Sequence, residues 1–231
     1  MVSVGDMTDN ATKKLRVIIT GATGMVGEGV LHECLQHPDV ESVLVINRRP
    51  CGVVHNKLIE IIHEDFFQIE PISNQLSGID ACFFCLGVSS VGMNEEKYSH
   101  LTYDLTLYLA GILSNMNPEM VFCYVSGSGT DSSEQGKSMW ARVKGKTENA
   151  LLQLPFKGAY MFRPGYIHPI KGLTNTHGYY SALKWLYPML RILFPNHVIS
   201  LRELGLAMIR AAKSGQARAI LDSKAISEMA K

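Results

Sequence analysis

The amino-acid sequence predicts an α/β fold: a doubly wound parallel sheet followed by a small helical lobe at the C-terminal end. Short apolar, β-branched runs of strand type alternate with longer segments of helical periodicity from Arg16 to Phe162. A glycine-rich turn, Gly21 to Gly27, follows the first of these runs and leads into the first helix. Alternating strands and helices are joined by right-handed crossovers, so we expect one parallel sheet with helices on both faces.

The composition is that of a globular protein with a single α/β domain. The chain has 231 residues, 46% of them hydrophobic, and a formal net charge of +1. We expect a disordered leader over residues 1–14 and one domain over residues 15–231, in which residues 166–231 supply the lobe on the substrate side. The near-neutral charge offers no basic field for nucleic acid or an anionic membrane, and no uninterrupted run of about 18 apolar residues is present. The expected partner is therefore a small molecule, and a homo-oligomer remains open.

The cysteines favour a reducing compartment and do not predict a metal site. Five cysteines without a disulfide framework favour a reducing environment, and the leader lacks the apolar core of a signal peptide, so we expect a cytoplasmic protein. Cys82 and Cys85 form a CxxC within an apolar run, where residues three apart point to opposite faces of a sheet. We expect buried core cysteines there. The spacing of His100, His168 and His177 predicts no metal site.

The turn after the first strand has the glycine spacing of a nucleotide-binding loop. Gly21 permits a sharp turn, Gly24 lets the backbone approach a pyrophosphate, and Gly27 lets the helix pack close to the strand. The N–H groups and the positive end of the helix dipole then favour phosphate. An ordinary glycine-rich turn is the alternative, but the strand, helix and second strand around it favour a nucleotide site. The predicted contacts in this loop are Gly21, Thr23, Gly24, Met25, Val26 and Gly27.

The second strand, Ser42 to Asn47, ends at Arg48 and Arg49. In dinucleotide-binding folds this position meets the adenosine ribose, where an acid accepts from the 2′-hydroxyl and an arginine accommodates a 2′-phosphate. Asn47 in place of an acid, with two guanidinium groups after it, predicts NADP(H) in preference to NAD(H). Two solvated arginines in a surface loop are the alternative.

Two more strands precede a long helix. Leu58 to Ile62 is the third strand, and Asp65 after it is either an adenine contact or a plain strand-end turn. The fourth strand ends at Leu86, and we expect Leu86 and Gly87 beside the cofactor. The apolar residues of the helix from about Asn94 to Asn115 recur at i+4 spacing, which indicates packing.

The fifth and sixth strands, Met120 to Val125 and Gly158 to Phe162, flank a helix from about Ser138 to Leu154. The polar segment that begins at Ser126 follows the fifth strand, at the carboxyl edge of the sheet where open α/β folds bind ligands. From Tyr166 onward the pattern loosens. A loop is followed by helices near Tyr179 to Leu193, Leu201 to Ser214 and after Asp222.

Taken together, these residues resemble the short-chain dehydrogenase/reductase superfamily of Rossmann-like, NAD(P)-binding folds, in its atypical branch. The resemblance is carried by Thr20 to Gly27, the Ser126 segment, Lys144 on the following helix and Arg163-Pro164-Gly165. Val143-Lys144-Gly145, the Arg163 motif and the tail around Ser223 to Ile226 are similar, more narrowly, to the Tat-interacting-protein type of oxidoreductase. The resemblance extends from about Leu15 to the C-terminus.

The resemblance implies hydride transfer between a nicotinamide and a small carbonyl or alcohol. In that family a Ser hydroxyl binds the reacting oxygen, a Tyr passes it a proton, and a Lys four residues later holds the nicotinamide ribose and lowers the Tyr pKa. Ser126 and Lys144 match the first and third positions, with Ser128 competing for the first. Trp140 stands at the Tyr position, and its indole N–H cannot exchange a proton at neutral pH.

Several alternatives stay open at this point. Tyr166, Tyr103 or solvent water can replace the missing proton donor, whereas the literal YxxxK at Tyr180 to Lys184 comes too late in the chain to be the catalytic pair. Arg163 is expected to be structural. Ser126 can also be a satisfied strand-end serine, and Lys144 a solvated helix lysine. The leading hypothesis is an NADP(H)-binding oxidoreductase; the others are a cofactor-sensing regulatory protein and a sugar-nucleotide epimerase or dehydratase.

Overall fold

The strands form one large sheet and one small one. The structure, a computed structural model, describes residues 13–170, 172–173, 175, 187–194 and 196–231. Its seven-stranded sheet is parallel throughout, in the order β3-β2-β1-β4-β5-β6-β9, and β7 pairs with β8 in a separate parallel pair. In chain order the strands are β1 (Leu15–Thr20), β2 (Val40–Asn47), β3 (Leu58–Ile62), β4 (Ala81–Phe84), β5 (Val121–Val125), β6 (Gly158–Arg163), β7 (Tyr166–His168), β8 (Val198–Ser200) and β9 (Ile220–Asp222).

Helices connect the strands and cover both faces of the sheet. A 3₁₀ helix spans Glu70–Gln75, and a π-helical segment, His100–Asp104, joins α2 to α3. Within the described ranges, every helix is too short or too polar to span a bilayer. The α-helices are α1 (Met25–Gln36), α2 (Glu95–Ser99), α3 (Leu105–Met116), α4 (Met139–Leu151), α5 (Tyr187–Leu193), α6 (Leu201–Ser214) and α7 (Ser223–Met229).

The alternation of side chains along β1 divides the core into two clusters. Val17 and Ile19 belong to the cluster packed against α1 and α6, and Ile18 belongs to the cluster packed against α3. All three are fully buried, as expected for a central strand with helices on both faces. The predicted doubly wound α/β fold is confirmed.

The C-terminal segment packs directly on the first helix. A Cβ on Gly29 of α1 would lie 2.8 Å from Leu201 Cδ1, and one on Gly205 of α6 would lie 2.8 Å from Glu33 Cβ. These glycines let α1 and α6 approach closely. The helix that follows the glycine-rich turn is therefore held between the sheet and the C-terminal segment.

The six predicted strands are present, and the differences lie in the second half of the chain. β7, β8 and β9 have three residues each and fall where the sequence predicts loops or helix starts. β9 depends on pairing with the distant β6, through Met161 and Ile220 among others, which a local pattern cannot show. The predicted helix from Asn94 is divided by the π-helical segment, and α4 ends at Leu151.

Two predictions fall on residues that the structure does not describe. The predicted leader lies almost wholly outside the described residues, which begin at 13, and so does the YxxxK at Tyr180 to Lys184. Of the helix predicted from Tyr179, the described part is α5.

Candidate functional site

The glycines of the turn after β1 have three different structural roles. Gly21 has φ +73°, and a Cβ there would lie 2.8 Å from the carbonyl carbon of Cys85. A Cβ on Gly27 would overlap the carbonyl oxygen of Gly21, which is the close contact between helix and strand. A Cβ on Gly24 would meet only that same oxygen, at 3.4 Å, so the space in front of Gly24 is open.

The N-terminus of α1 faces this turn without a side-chain cap. Gly24 is the N-cap residue; its N–H donates to the Gly21 carbonyl oxygen at 2.9 Å, and its own carbonyl accepts from Glu28 at 2.8 Å. Among the residues that the structure describes, no side chain accepts from the first-turn N–H groups, which belong to Met25, Val26 and Gly27. An open glycine beside uncapped N–H groups fits a pyrophosphate, so the residues present suit a dinucleotide.

A cavity of about 430 Å³ lies at the carboxyl ends of β1, β4, β5 and β6. It is the place where open parallel sheets bind ligands. The cavity brings together predicted site residues from four separate stretches of the chain, and its other lining residues include Cys85, Pro164, Gly165 and Ile167. The predicted residues that line it are Gly24, Met25, Val26, Leu86, Gly87, Ser126 and Lys144.

The arginines predicted to meet the adenosine ribose lie outside this cavity, after β2. Arg48 and Arg49 are exposed, and within the described chain neither has a hydrogen bond or ion pair. Asn47 before them is buried, and its amide Nδ2 donates to Glu60 Oε1 at 2.7 Å. Cys51 N–H donates to the same carboxylate oxygen at 2.8 Å. Both guanidinium groups are thus accessible, while the nearby acid is occupied by Asn47 and the Cys51 backbone.

Asp65 serves the turn after β3. Its carboxylate accepts hydrogen bonds from the N–H of Phe67 at 2.9 Å and from Gln68 Nε2 at 2.9 Å. This matches the strand-end turn that the sequence left as an alternative to an adenine contact. Asp65 does not line the cavity.

Lys144 extends from α4 to the cavity wall. Its Nζ donates to the carbonyl oxygen of Ser126 at 2.5 Å and lies 5.9 Å from the centre of the Tyr124 ring. Burial lowers the pKa of Lys144 to about 8, and the carboxylate of Glu148 opposes this shift only in part. The solvated helix lysine that the sequence left as an alternative does not match this position.

The side chain of Ser126 is bonded inside the fold. Its hydroxyl donates to Glu148 Oε1 at 2.5 Å and lies 3.2 Å from the carbonyl oxygen of Phe162. Glu148 is fully buried and forms an ion pair with Arg163, whose Nε lies 3.1 Å from both carboxylate oxygens. Arg163 Nη2 also donates to Ser132 Oγ at 2.5 Å. This makes a connected network of Ser126, Glu148, Arg163 and Ser132.

Sequence reasoning missed Glu148 and Ser132. The sequence predicts a structural role for Arg163, and in the structure its partner is the Glu148 carboxylate. The only sequence signal for Glu148 is its i+4 spacing from Lys144, which places both on one face of α4. That spacing is common on solvated helices, so the sequence carries no sign of the burial.

Trp140 lies one turn before Lys144, against the loop after β5. A Cβ on Gly129 would lie 3.3 Å from Trp140 Cη2, so the indole packs on that loop. Trp140 is not among the residues that line the cavity. Neither are the candidate donors Tyr103 and Tyr166, nor Ser128, which competes with Ser126 for the role of binding the reacting oxygen. The Lys146 ammonium lies 4.3 Å from the centre of the Tyr103 ring.

The cysteines are distributed over both core clusters. Cys82 belongs to the α3 cluster and Cys85 packs against the α1 cluster, as the predicted opposite faces require. All five cysteines are free. In the part of the chain that the structure describes, no three His, Cys, Asp or Glu side chains are grouped so as to hold a metal ion.

Residues 17–139 match the model of the NAD dependent epimerase/dehydratase family. Protein fmp52, mitochondrial, of Emericella nidulans is 28% identical over 158 residues, which are 65% of this chain and 66% of that protein. Protein HTATIP2 of Rattus norvegicus is 27% identical over 153 residues, 65% of this chain and 62% of that protein. This chain thus spans just under two thirds of the length of either relative.

Two solved structures illustrate the likeness in fold. The ADP-L-glycero-D-manno-heptose-6-epimerase of Helicobacter pylori has a TM-score of 0.65 and 15% identity, covering 97% of this chain and 83% of that one. A short chain dehydrogenase from Burkholderia cenocepacia, in complex with NADP, has a TM-score of 0.63 and 14% identity, covering 94% and 92%. At this identity the likeness shows the Rossmann-like fold alone.

The comparisons correct one prediction. The sequence predicts a cytoplasmic protein, but the fungal relatives from Emericella nidulans, Meyerozyma guilliermondii and Saccharomyces cerevisiae are all named as mitochondrial. The cytoplasmic prediction is therefore wrong. Its basis, free cysteines and a polar leader, distinguishes a reducing compartment from a secreted one but does not separate cytosol from mitochondrion.

Proposed function

Because the chain belongs to the NAD dependent epimerase/dehydratase family, we propose that it is an NADP(H)-dependent oxidoreductase acting on a small carbonyl or alcohol. The predicted membership of the short-chain dehydrogenase/reductase superfamily is confirmed. One observation carries the proposal: a single cavity joins the glycine-rich turn to Ser126 and Lys144 at the carboxyl edge of the sheet.

The cofactor preference rests on the residues after β2. Arg48 and Arg49 are exposed and have no partner within the described chain, and Glu60, the nearby acid, is occupied by Asn47. Guanidinium groups bind a 2′-phosphate through paired, charge-assisted hydrogen bonds, whereas a free acid is needed to select the 2′-hydroxyl. These features support NADP(H) over NAD(H).

The chain's own residues hold the cofactor and the carbonyl. The open backbone at Gly24 and the N–H groups at the start of α1 would bind the pyrophosphate, and the Lys144 ammonium would donate to the nicotinamide ribose. The bound nicotinamide supplies the two-electron reduction. Residues 166–231 would supply the substrate side, since Ile167 already lines the cavity. We further propose a mitochondrial location, from the names of the fungal relatives.

We expect slow turnover. Trp140 offers no exchangeable proton, and the Ser126 hydroxyl that would polarise a carbonyl is bonded to Glu148. General acid–base assistance is worth about 10²–10⁴-fold in rate, so a site without the family's tyrosine is slow unless another group donates the proton.

Cofactor binding and NADPH oxidation over a panel of aldehydes, ketones and quinones test the proposal together. We expect NADPH to quench the intrinsic fluorescence on binding, and at least one carbonyl to be reduced slowly. A folded protein that binds neither NADPH nor NADH would contradict the proposal.

A second function, cofactor sensing without catalysis, is favoured by one observation. The Ser126 hydroxyl is bonded within the fold, so the substrate oxygen must displace Glu148 to use it. A sensor would bind NADP(H) with a large gain in thermal stability and reduce no carbonyl in the panel. An oxidoreductase would show both binding and turnover.

A further inference from the structure

We propose that the ammonium group of Lys144 is itself the proton donor to the carbonyl oxygen, in place of the tyrosine that this chain lacks. The assignment rests on the proposed oxidoreductase function. It gives Lys144 a role in the proton transfer in addition to holding the nicotinamide ribose.

The cavity wall leaves few candidates for this role. Among its described lining residues, only Lys144 and Cys85 carry titratable side chains. Burial raises the pKa of the Cys85 thiol to about 12, so this thiol is a poor proton donor at neutral pH. Trp140 and the alternative tyrosines, Tyr103 and Tyr166, do not line the cavity.

The position of the Lys144 ammonium is fixed. The hydrogen bond of 2.5 Å to the Ser126 carbonyl and the Tyr124 ring at 5.9 Å hold Nζ at the wall. An ammonium group has three N–H donors, and the Ser126 carbonyl takes one. Two remain for a ribose hydroxyl and a carbonyl oxygen.

The charged and titratable groups around Lys144 do not cancel the effect of burial on the pKa of its ammonium group. Glu148, one turn later on α4, stabilises the ammonium form but is already paired with Arg163. Burial raises the pKa of the Tyr124 and Tyr98 phenols, so both stay neutral. Desolvation therefore dominates, and the pKa of Lys144 is lowered to about 8. A donor with a pKa near the working pH is suited to general acid catalysis.

The step balances without any further reactant. The carbonyl oxygen accepts one N–H proton from Lys144 as the carbonyl carbon takes up a hydrogen and its electron pair from the reduced nicotinamide. The carbonyl is reduced to an alcohol, and the dinucleotide is oxidised. Lys144 is left as a neutral amine, which regains a proton from solvent.

Lys144→Arg separates proton donation from ribose binding. Arginine keeps the positive charge and can donate to the ribose, but it does not give up a proton at accessible pH. We expect the NADPH affinity to stay within about threefold and carbonyl reduction to fall by about 10²–10⁴-fold. Lys146→Arg, two residues later on the same helix and exposed, is the matched control and should change neither.

A measurement independent of turnover accompanies this comparison. In protein labelled with ¹³C-lysine, the Lys144 signal is identified by its absence from Lys144→Arg and then titrated by NMR. We expect its midpoint near the value of about 8 that burial produces, and we expect the signal to shift when NADP⁺ is added. We also expect wild-type reductase activity to fall as the pH rises through that midpoint, and Lys144→Arg to lack this decline.

Three results would overturn the assignment: a Lys144 midpoint at the ordinary lysine value of about 10.4, Lys144→Arg with wild-type turnover, or wild-type protein that binds NADPH but reduces nothing. Failure to bind NADPH at all would contradict the proposed function, so the two failures are distinguishable.

Discussion

The hydroxyl of Ser126 donates a 2.5 Å hydrogen bond to the buried carboxylate of Glu148. A serine that serves only to bind a substrate oxygen would be expected to present its hydroxyl to the cavity. Here the same hydroxyl is one of the hydrogen-bond donors to the Glu148 carboxylate, whose charge Arg163 neutralises. The Ser126 hydroxyl therefore has a structural function in this chain, and a substrate oxygen that uses this hydroxyl would compete with Glu148 for it.

The ion pair behind Ser126 is the basis of the first prediction. Arg163→Met leaves Glu148, which has no exposed surface, without its cation, and such a loss costs about 3–5 kcal/mol. Lys157→Met is the control, because Lys157 and Glu119 are 61% and 85% exposed and such pairs contribute about 1 kcal/mol or less. Urea denaturation measures both. An equal loss of unfolding free energy in the two variants would show that the buried pair contributes no more to stability than the exposed one.

The second prediction concerns pH. Burial lowers the pKa of Lys144 from 10.5 to about 8, so unfolding takes up a proton between these values and stability rises with pH across that window. At pH 7 the folded protein carries the full cost of the buried ammonium. Lys144→Met should therefore be more stable than wild type at pH 7, by up to about 3 kcal/mol. Its advantage should shrink as the pH rises from 8 towards 10.5. Denaturation at a series of pH values tests this, and a difference independent of pH would contradict it.

Two glycines of the turn provide a third, paired prediction. Gly24→Val fills the open space in front of the loop and should abolish nucleotide binding, at a cost to stability of about 1 kcal/mol. Gly27→Ala places a methyl group against the Gly21 carbonyl and should destabilise the fold by about 1–3 kcal/mol or more. Thermal denaturation and NADPH titration of both variants give the comparison. Wild-type affinity in a folded Gly24→Val variant would exclude a pyrophosphate at that place.

The fourth prediction concerns position 140, where we propose that Trp140 replaces the family's tyrosine. Trp140 precedes Lys144 by one turn on α4, so Trp140→Tyr puts a phenol and an ammonium on one helical face. Trp140 packs on the loop after β5, outside the cavity wall, but the smaller phenol would be free to turn towards Lys144. We therefore expect NADPH-dependent carbonyl reduction to rise at least tenfold, up to the limit of about 10⁴-fold for general acid catalysis. Steady-state NADPH oxidation by both proteins measures it. Unchanged turnover would mean that position 140 has no part in proton transfer.

Local signals in the sequence predicted the first half of the fold well. The β-branched run before Gly21 and the glycine spacing after it are each visible within about a dozen residues, and the structure has a strand, a turn and a helix there. β9 is different, since its three residues become a strand only by pairing with β6. A short segment stabilised by a distant partner leaves no periodic pattern of its own.

The candidate site also has one part that the sequence predicts and one part that depends on tertiary packing. Ser126 and Lys144 meet because the end of β5 and the helix after it must share the carboxyl edge of a parallel sheet, which the order of elements predicts. The direction of the Ser126 hydroxyl depends on Glu148 being buried, and that burial arises from packing of α4 on the sheet. No pattern along the chain distinguishes this glutamate from a solvated one.

Calorimetric titration with NADPH and NADH tests most directly whether this protein binds NADP(H) with the 2′-phosphate at Arg48 and Arg49, as we propose. Both arginines are exposed and without partners in the described chain, so charge-assisted contacts should favour NADPH by about 1–3 kcal/mol. Arg48→Ala and Arg49→Ala should each reduce that preference, and the exposed Lys97→Ala should leave it unchanged. Equal affinity for the two cofactors, or a preference that survives loss of both arginines, would contradict the account.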